Sequence, residues 1–197
     1  MCGRYYLYIE EAELQEILRE VKGEKAPMNK GEIFPTNLVP VVSASGRPEI
    51  MKWGFSRNDG KGHVINARSE TIREKAMFHR PLREGRCLVP ASWYFEWETV
   101  GTTKQKYTIS RPDTPLLFMA GLYRYEPDQR LPSFVILTRE AANEIAFIHT
   151  RMPVILPRAQ QLSWLDGDTT ALTCDPGVFE YKKEPQPEGP YQLGFPI

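Results

Sequence analysis

Apolar positions recur along this chain in short, closely spaced groups. Leu14, Ile17, Leu18 and Val21 fall at helical spacing and predict a helix over 11–21, after a tyrosine-rich strand over 3–9. Two strands are predicted at Leu38–Ser43 and 48–55, joined at Ala44-Ser45-Gly46-Arg47. A polar, glycine-bearing loop over 57–63 separates them from one or two short helices within 69–84, around Pro81. From Cys87 the pattern is β-type, with strands at 87–90, 93–98, 106–110 and 116–123 and a break at Thr99-Val100-Gly101-Thr102. A buried-type strand at 134–138, a short helix at 140–147, a strand at 153–156 and a helix at 159–164 follow. From about residue 175 the proline- and glycine-rich tail reads as extended chain over the surface. Many short strands with few helices predict an α+β fold, a single domain over 1–197 on a curved, mainly antiparallel sheet or barrel with short peripheral helices.

Composition narrows the function classes. Lysine plus arginine equals aspartate plus glutamate at 25 each, so any nucleic-acid contact rests on a local patch. No run of eighteen apolar residues occurs, so no membrane span is expected. Glu10, Glu11 and Glu13 near the start argue against a secretory signal. Three distant cysteines, Cys2, Cys87 and Cys174, form neither a disulfide framework nor a zinc pattern; a reducing cytoplasm is expected. No histidine pair has metal-ligand spacing, so no metal and no other cofactor is expected. A monomer is expected.

Four places carry candidate chemistry. Removal of Met1 would place the α-amine and thiol of Cys2 on adjacent carbons. Such a 1,2-aminothiol captures an aldehyde first through nitrogen and then through sulfur, closing a thiazolidine ring. A free α-amine has a pKa of about 7.7–8.0, so part of it is neutral near pH 7. The alternative for Cys2 is a small, inert apolar residue. Glu96 sits among aromatics in Ser92-Trp93-Tyr94-Phe95-Glu96-Trp97, on the strand face of Tyr94 and Glu98. It is either a general acid or base with a raised pKa, or an exposed strand glutamate. His149, before Arg151 and Pro153, is either a proton shuttle or a structural histidine. In Asn66-Ala67-Arg68-Ser69-Glu70-Thr71, Asn66 offers an amide, Arg68 a phosphate-binding guanidinium and Ser69 a helix cap. A capped turn without a ligand fits the same residues.

Together these segments resemble the SRAP family, the SOS-response-associated, abasic-site processing proteins. The resemblance rests on Met1-Cys2-Gly3-Arg4, Trp53-Gly54-Phe55, Ile65-Asn66-Ala67-Arg68-Ser69-Glu70-Thr71, Phe95-Glu96-Trp97, Phe118-Met119-Ala120-Gly121-Leu122-Tyr123 and His149-Thr150-Arg151-Met152-Pro153. They run in the family's order over residues 1 to about 156. The resemblance implies the SRAP fold and a protein of the DNA damage response that binds abasic sites in single-stranded DNA. It implies a covalent thiazolidine crosslink through the N-terminal cysteine that shields the lesion. Members were also read as autoprocessing peptidases. By the same resemblance Cys2 is the nucleophile, Asn66 orients the sugar oxygen or the Cys2 amine, Glu96 transfers protons in ring opening, and His149 assists opening and reversal. Arg4, Arg68 and Arg151 match positions that hold DNA phosphates; Pro35 and Thr138 match positions lining the cleft. A cytoplasmic location follows, nucleoid-associated in a bacterium.

The chain departs from the family in three places. Members carry a longer loop after Trp-Gly, with tryptophans that stack on or wedge into DNA; here 56–63 has no aromatic residue. Arg57 and Lys61 offer phosphate attraction instead. Glu32-Ile33-Phe34-Pro35 lacks the usual asparagine, and Thr150 replaces an aspartate after the histidine. Two other readings stay open: an N-terminal-nucleophile peptidase or amidase, and a non-covalent single-stranded DNA binder using Arg4, Arg68 and Arg151.

Overall fold

A computed structural model describes residues 2–8, 10, 12–21, 28–57, 59–127 and 129–185 of the 197. In chain order the elements are β1 (Tyr5–Leu7), α1 (Ala12–Val21), β2 (Gly31–Ile33), β3 (Leu38–Ser43), β4 (Pro48–Trp53), β5 (Phe55–Ser56), β6 (His63–Val64) and β7 (Asn66–Arg68). A single 3₁₀ turn at Ser69–Thr71 leads to α2 (Ala76–Glu84), β8 (Arg86–Ala91), β9 (Trp93–Val100), β10 (Thr103–Ser110), β11 (Leu117–Arg124), β12 (Ser133–Glu140) and β13 (Arg151–Pro153). The chain then forms α3 (Arg158–Leu165), a 3₁₀ turn at Thr170–Thr173 and β14 (Glu180–Lys183).

The strands make two main layers. One is an all-antiparallel sheet in the order β14-β10-β9-β1-β2. In the other, β11 pairs β8, β8 pairs β3, β3 pairs β4, β4 pairs β12 in parallel, and β12 returns to β11. That circuit closes a ring of five strands, the barrel expected from the β-rich pattern. β12 is long enough to serve several neighbours: its start pairs β4, its middle takes β7 in parallel, and its end takes β13.

Strand alternation fixes the core. β8, β11 and β12 are buried on both faces for most of their length, which is why they read as continuous apolar runs rather than alternating ones. At the ring's centre Gly121 admits a close approach. A Cβ there would lie 2.8 Å from Cys87 Sγ and 3.0 Å from the Val135 carbonyl oxygen. Gly121→Ala is therefore expected to cost about 1–3 kcal/mol through overpacking. A thermal melt should show a fall of several degrees, since about 1 kcal/mol shifts Tm by roughly 2–4 °C at this size.

The structure corrects several expectations. The segment predicted as a helix over 140–147 is the end of β12 followed by turns at 143–148. Its bonds there are isolated, Ile145 N–H to Ala142 and the N–H groups of Ile148 and His149 to Ile145, and do not continue as a helix. Ser69 opens the 3₁₀ turn and makes no capping bond; Arg68 occupies the cap position. Pro81 sits inside α2 rather than between two helices, buried beside Phe78, at the loss of one backbone bond. The strand expected over 153–156 is displaced to Arg151–Pro153, with one bridge from Ile155 to Met119. Of the extended tail, Glu180–Lys183 is a true strand on β10, and 186–197 lie outside the described residues.

Candidate active site

The site forms where β1, β7 and β9 meet. Tyr5 pairs with Tyr94 across β1 and β9, so Cys2, just before β1, is brought over the face carrying Tyr94 and Glu96. The amide of Asn66 secures it: Nδ2–H donates to the Cys2 carbonyl oxygen at 2.8 Å. Asn66 is itself placed by β7 lying parallel on β12, Asn66 opposite Ile136. Beneath, the Trp53 indole N–H donates to the Ile65 carbonyl at 3.0 Å, tying β4 to the residue before Asn66. Trp53 packs against Tyr5 and stacks on Phe134.

Cys2 is fully buried, and its thiol reaches the Arg4 carbonyl at 3.8 Å. Burial pushes its pKa far above the usual thiol value, and the negative charge of Glu96 pushes further the same way. Glu96 is 4% exposed, which removes the reading of an exposed strand glutamate. Burial raises the Glu96 pKa as well, so its acid form persists to higher pH than in an ordinary carboxyl group. Around them the hydroxyls of Tyr5 and Tyr94 and the Oδ1 of Asn66 are buried and accept or donate no hydrogen bond among the described residues. These polar atoms suit a polar ligand better than an apolar one.

His149 arrives on the turn before β13. The backbone N–H of Arg151 donates to its Nδ1 at 2.9 Å, so the neutral ring carries its proton on Nε2. Burial, first, and the nearby positive charges of Lys104 and Arg151 lower its pKa, which favours the neutral ring at pH 7. The same turn carries Phe147, whose ring meets Tyr107, the cross-strand partner of Glu96. The turn thereby sits against the Glu96 rung.

The three arginines matched to the family's phosphate-holding positions are placed unequally. Arg151 is held by Glu70 through two bonds of 2.7 and 2.9 Å and donates to the Thr138 carbonyl at 2.7 Å. Thr138 is fully buried, and its carbonyl and hydroxyl oxygens accept from Arg151, so it supports that arginine rather than facing solvent. Arg4 lies over the rings of Phe34 and Trp97 and 3.3 Å from Glu32, which also pairs with Lys106. The sequence pattern does not show this aromatic-cationic cluster, because Arg4, the Glu32–Phe34 stretch, Trp97 and Lys106 come from separate parts of the chain. Pro35 is second in a turn over 34–37 whose third residue, Thr36, has a φ of 74°. A left-handed threonine is strained there, where a type II turn prefers glycine or asparagine. Bonds from Thr36 N–H to Trp53 O and from Phe34 N–H to Asn37 Oδ1 hold it. Arg68 is exposed on the wall of an open groove of about 900 Å³ that also includes Arg57, Asn66, Lys75 and Met77. Arg57 is paired with Asp59 across the 57–62 loop.

The buried cysteine, its amide clamp, the carboxyl group beside it and the histidine turn lie on one fold, and comparison with known proteins places that fold. The chain belongs to the SRAP family: the model described as SOS response associated peptidase (SRAP) matches residues 1–186. It is 33% identical to abasic site processing protein YMR114C of Saccharomyces cerevisiae, over 89% of this chain and 58% of the yeast protein. It is 32% identical to abasic site processing protein YoaM of Bacillus subtilis, over 87% of this chain and 82% of that one. It is 30% identical to abasic site processing protein YedK of Escherichia coli, over 84% and 79% respectively. The chain thus spans little more than half of the yeast relative and about four fifths of the bacterial ones. A crystal structure of a protein from Bacteroides thetaiotaomicron shares the fold, with a TM-score of 0.76 at 22% identity, covering 92% of this chain and 91% of the other. Among the described residues no helix is long and apolar enough to cross a membrane.

Proposed function

We propose that this chain captures abasic sites in single-stranded DNA through Cys2, forming a covalent thiazolidine link that shields the lesion. The observation that carries the reading is the clamp on Cys2: Asn66 holds its carbonyl at 2.8 Å while burial, and after it the charge of Glu96, raises its thiol pKa. The names of the relatives, abasic site processing proteins, supply the substrate class.

The chemistry follows from these groups. The abasic sugar is mostly a closed hemiacetal, so a proton must leave its C1′ hydroxyl and another must reach the ring oxygen to expose the aldehyde. Glu96 and His149 are the groups that shuttle these protons. With Met1 removed, the Cys2 amine attacks C1′, and loss of water gives a Schiff base. The thiol then adds across the C=N bond: sulfur bonds to C1′ and its proton passes to nitrogen. One water leaves for each thiazolidine formed. A thiol held in its protonated form is a poor first nucleophile, so its burial favours this amine-first order. The same burial gives no support to a peptidase that begins with thiolate attack. Arg68, and Arg4 and Arg151 once displaced from Glu32 and Glu70, would fix the phosphates without reading sequence.

The test is intact-mass spectrometry of the purified chain before and after incubation with an abasic oligonucleotide. The expected result is loss of Met1 and an adduct of protein plus oligonucleotide minus one water, stable to heat. A chain that retains Met1, or that forms no such adduct, removes the proposal.

A further inference from the structure

Three aromatic rings stand together beside the Glu96 rung. Tyr107 of β10, Tyr181 of β14 and Phe147 of the 143–148 turn meet edge-on, with centroids 5.8 Å apart for Tyr107–Phe147, 6.0 Å for Tyr107–Tyr181 and 5.2 Å for Phe147–Tyr181. Tyr107 is buried beneath them and its hydroxyl donates to Glu98 at 2.8 Å. Phe147 and Tyr181 are each 49% exposed. Clustered half-exposed rings offer solvent an apolar surface that favours a ligand.

Resting on the capture reading above, we propose that Phe147 and Tyr181 form a stacking platform for bases of the DNA strand on one side of the abasic site. The position supports this occupant. Tyr107 is the cross-strand partner of Glu96, and Phe147 lies two residues before His149, so the platform is continuous with the site. The groove lined by Arg57, Arg68 and Lys75 opens from Asn66, whose amide holds Cys2. A strand lying along that groove and past Cys2 continues towards the rings. Lys183, the exposed cross-strand partner of Tyr107, supplies a cation for the phosphates there. Nucleobases present flat π-faces of any sequence, which aromatic side chains bind without discrimination. The 56–63 segment, which borders that groove, carries no phenylalanine, tyrosine or tryptophan, and Phe147 and Tyr181 supply the stacking faces it lacks.

The experiment compares the wild-type chain with Phe147→Leu/Tyr181→Leu, which keeps apolar volume but loses both π-faces. Binding is measured by fluorescence anisotropy on single-stranded oligonucleotides carrying a tetrahydrofuran abasic analogue, which has no aldehyde to crosslink, with long flanks on both sides, and on the same oligonucleotides trimmed at one end or the other. The double variant should bind the long oligonucleotide about fivefold or more weakly, the equivalent of one lost stack. That difference should vanish when the flank that reaches the rings is trimmed, and the adduct rate at saturating DNA should be unchanged. A 2-aminopurine placed in that flank should be quenched by the wild type and not by the variant. Equal affinity of the two proteins for the long oligonucleotide overturns the platform. Phe147→Trp/Tyr181→Phe keeps both rings and should bind as tightly as wild type; a loss equal to that of the leucine variant also overturns it. Binding is read independently of crosslinking. A wild type that forms no adduct therefore removes the capture reading, while the variants still decide the platform.

Discussion

Cys2→Ala is expected to abolish the heat-stable adduct with abasic DNA completely. Alanine keeps the terminal amine and can still form a Schiff base, which hydrolyses on heating unless reduced. Borohydride should therefore trap a product with Cys2→Ala that is absent without it. Cys2→Ser should behave in the same way, because a five-membered ring closed by oxygen is much less stable than the sulfur ring. The substituted residue stays small, and the Asn66 clamp bears on the backbone carbonyl rather than on the side chain, so the fold and the position of the terminus should survive. Acetylating the terminal amine of the wild type should remove both products. A heat-stable adduct from Cys2→Ala, measured on a denaturing gel, would refute the sulfur step.

Glu96→Gln carries the second large effect. Losing a positioned proton-transfer group typically slows a reaction by about 10²–10⁴-fold. Single-turnover kinetics with abasic DNA should show that fall while DNA affinity stays near wild type. Stability should move the other way. The folded-state pKa of Glu96 is raised by burial, so its protonated form is the one the fold favours. Its contribution is present below the unfolded pKa of about 4.3 and is lost as pH rises through the higher folded value. Glutamine removes that loss. The melting temperature of Glu96→Gln should exceed that of wild type at pH 7–8, and the gap should close towards pH 4. A variant that is both less stable at pH 8 and fully active would place Glu96 in a structural role instead.

Much of the architecture was legible because its signals are local. Alternation through Trp93-Tyr94-Phe95-Glu96-Trp97 put Glu96 on the Tyr94 face, and the structure places Tyr94 and Glu96 there, inside. Leu14 and Val21 are the buried positions of α1, as their spacing implies. The failures have physical causes. The segment after Glu140 contains good helix formers, yet Ala142 N–H turns to the Met152 sulfur and Ala141 N–H to the Thr150 carbonyl. Tertiary bonds outweighed weak helix propensity in so short a stretch. β2, β5, β6 and β7 are two or three residues long and were too short to leave a period. Of the site, Cys2, Asn66, Glu96 and His149 were named from sequence. The pairing of Arg151 with Glu70 and of Arg4 with Glu32 was not, because partners 81 and 28 residues apart in the chain share no local pattern.

β10 is eight residues long, and β14 covers one side of it with a segment reading Glu-Tyr-Lys-Lys, exposed throughout. Charged residues on an outermost strand discourage a second chain from joining. Cutting the polypeptide before Glu180 would bare a long rim of unpaired amide and carbonyl groups, ready to template growth from one molecule to the next. Such a shortened chain should sediment as oligomers at concentrations where the longer one does not.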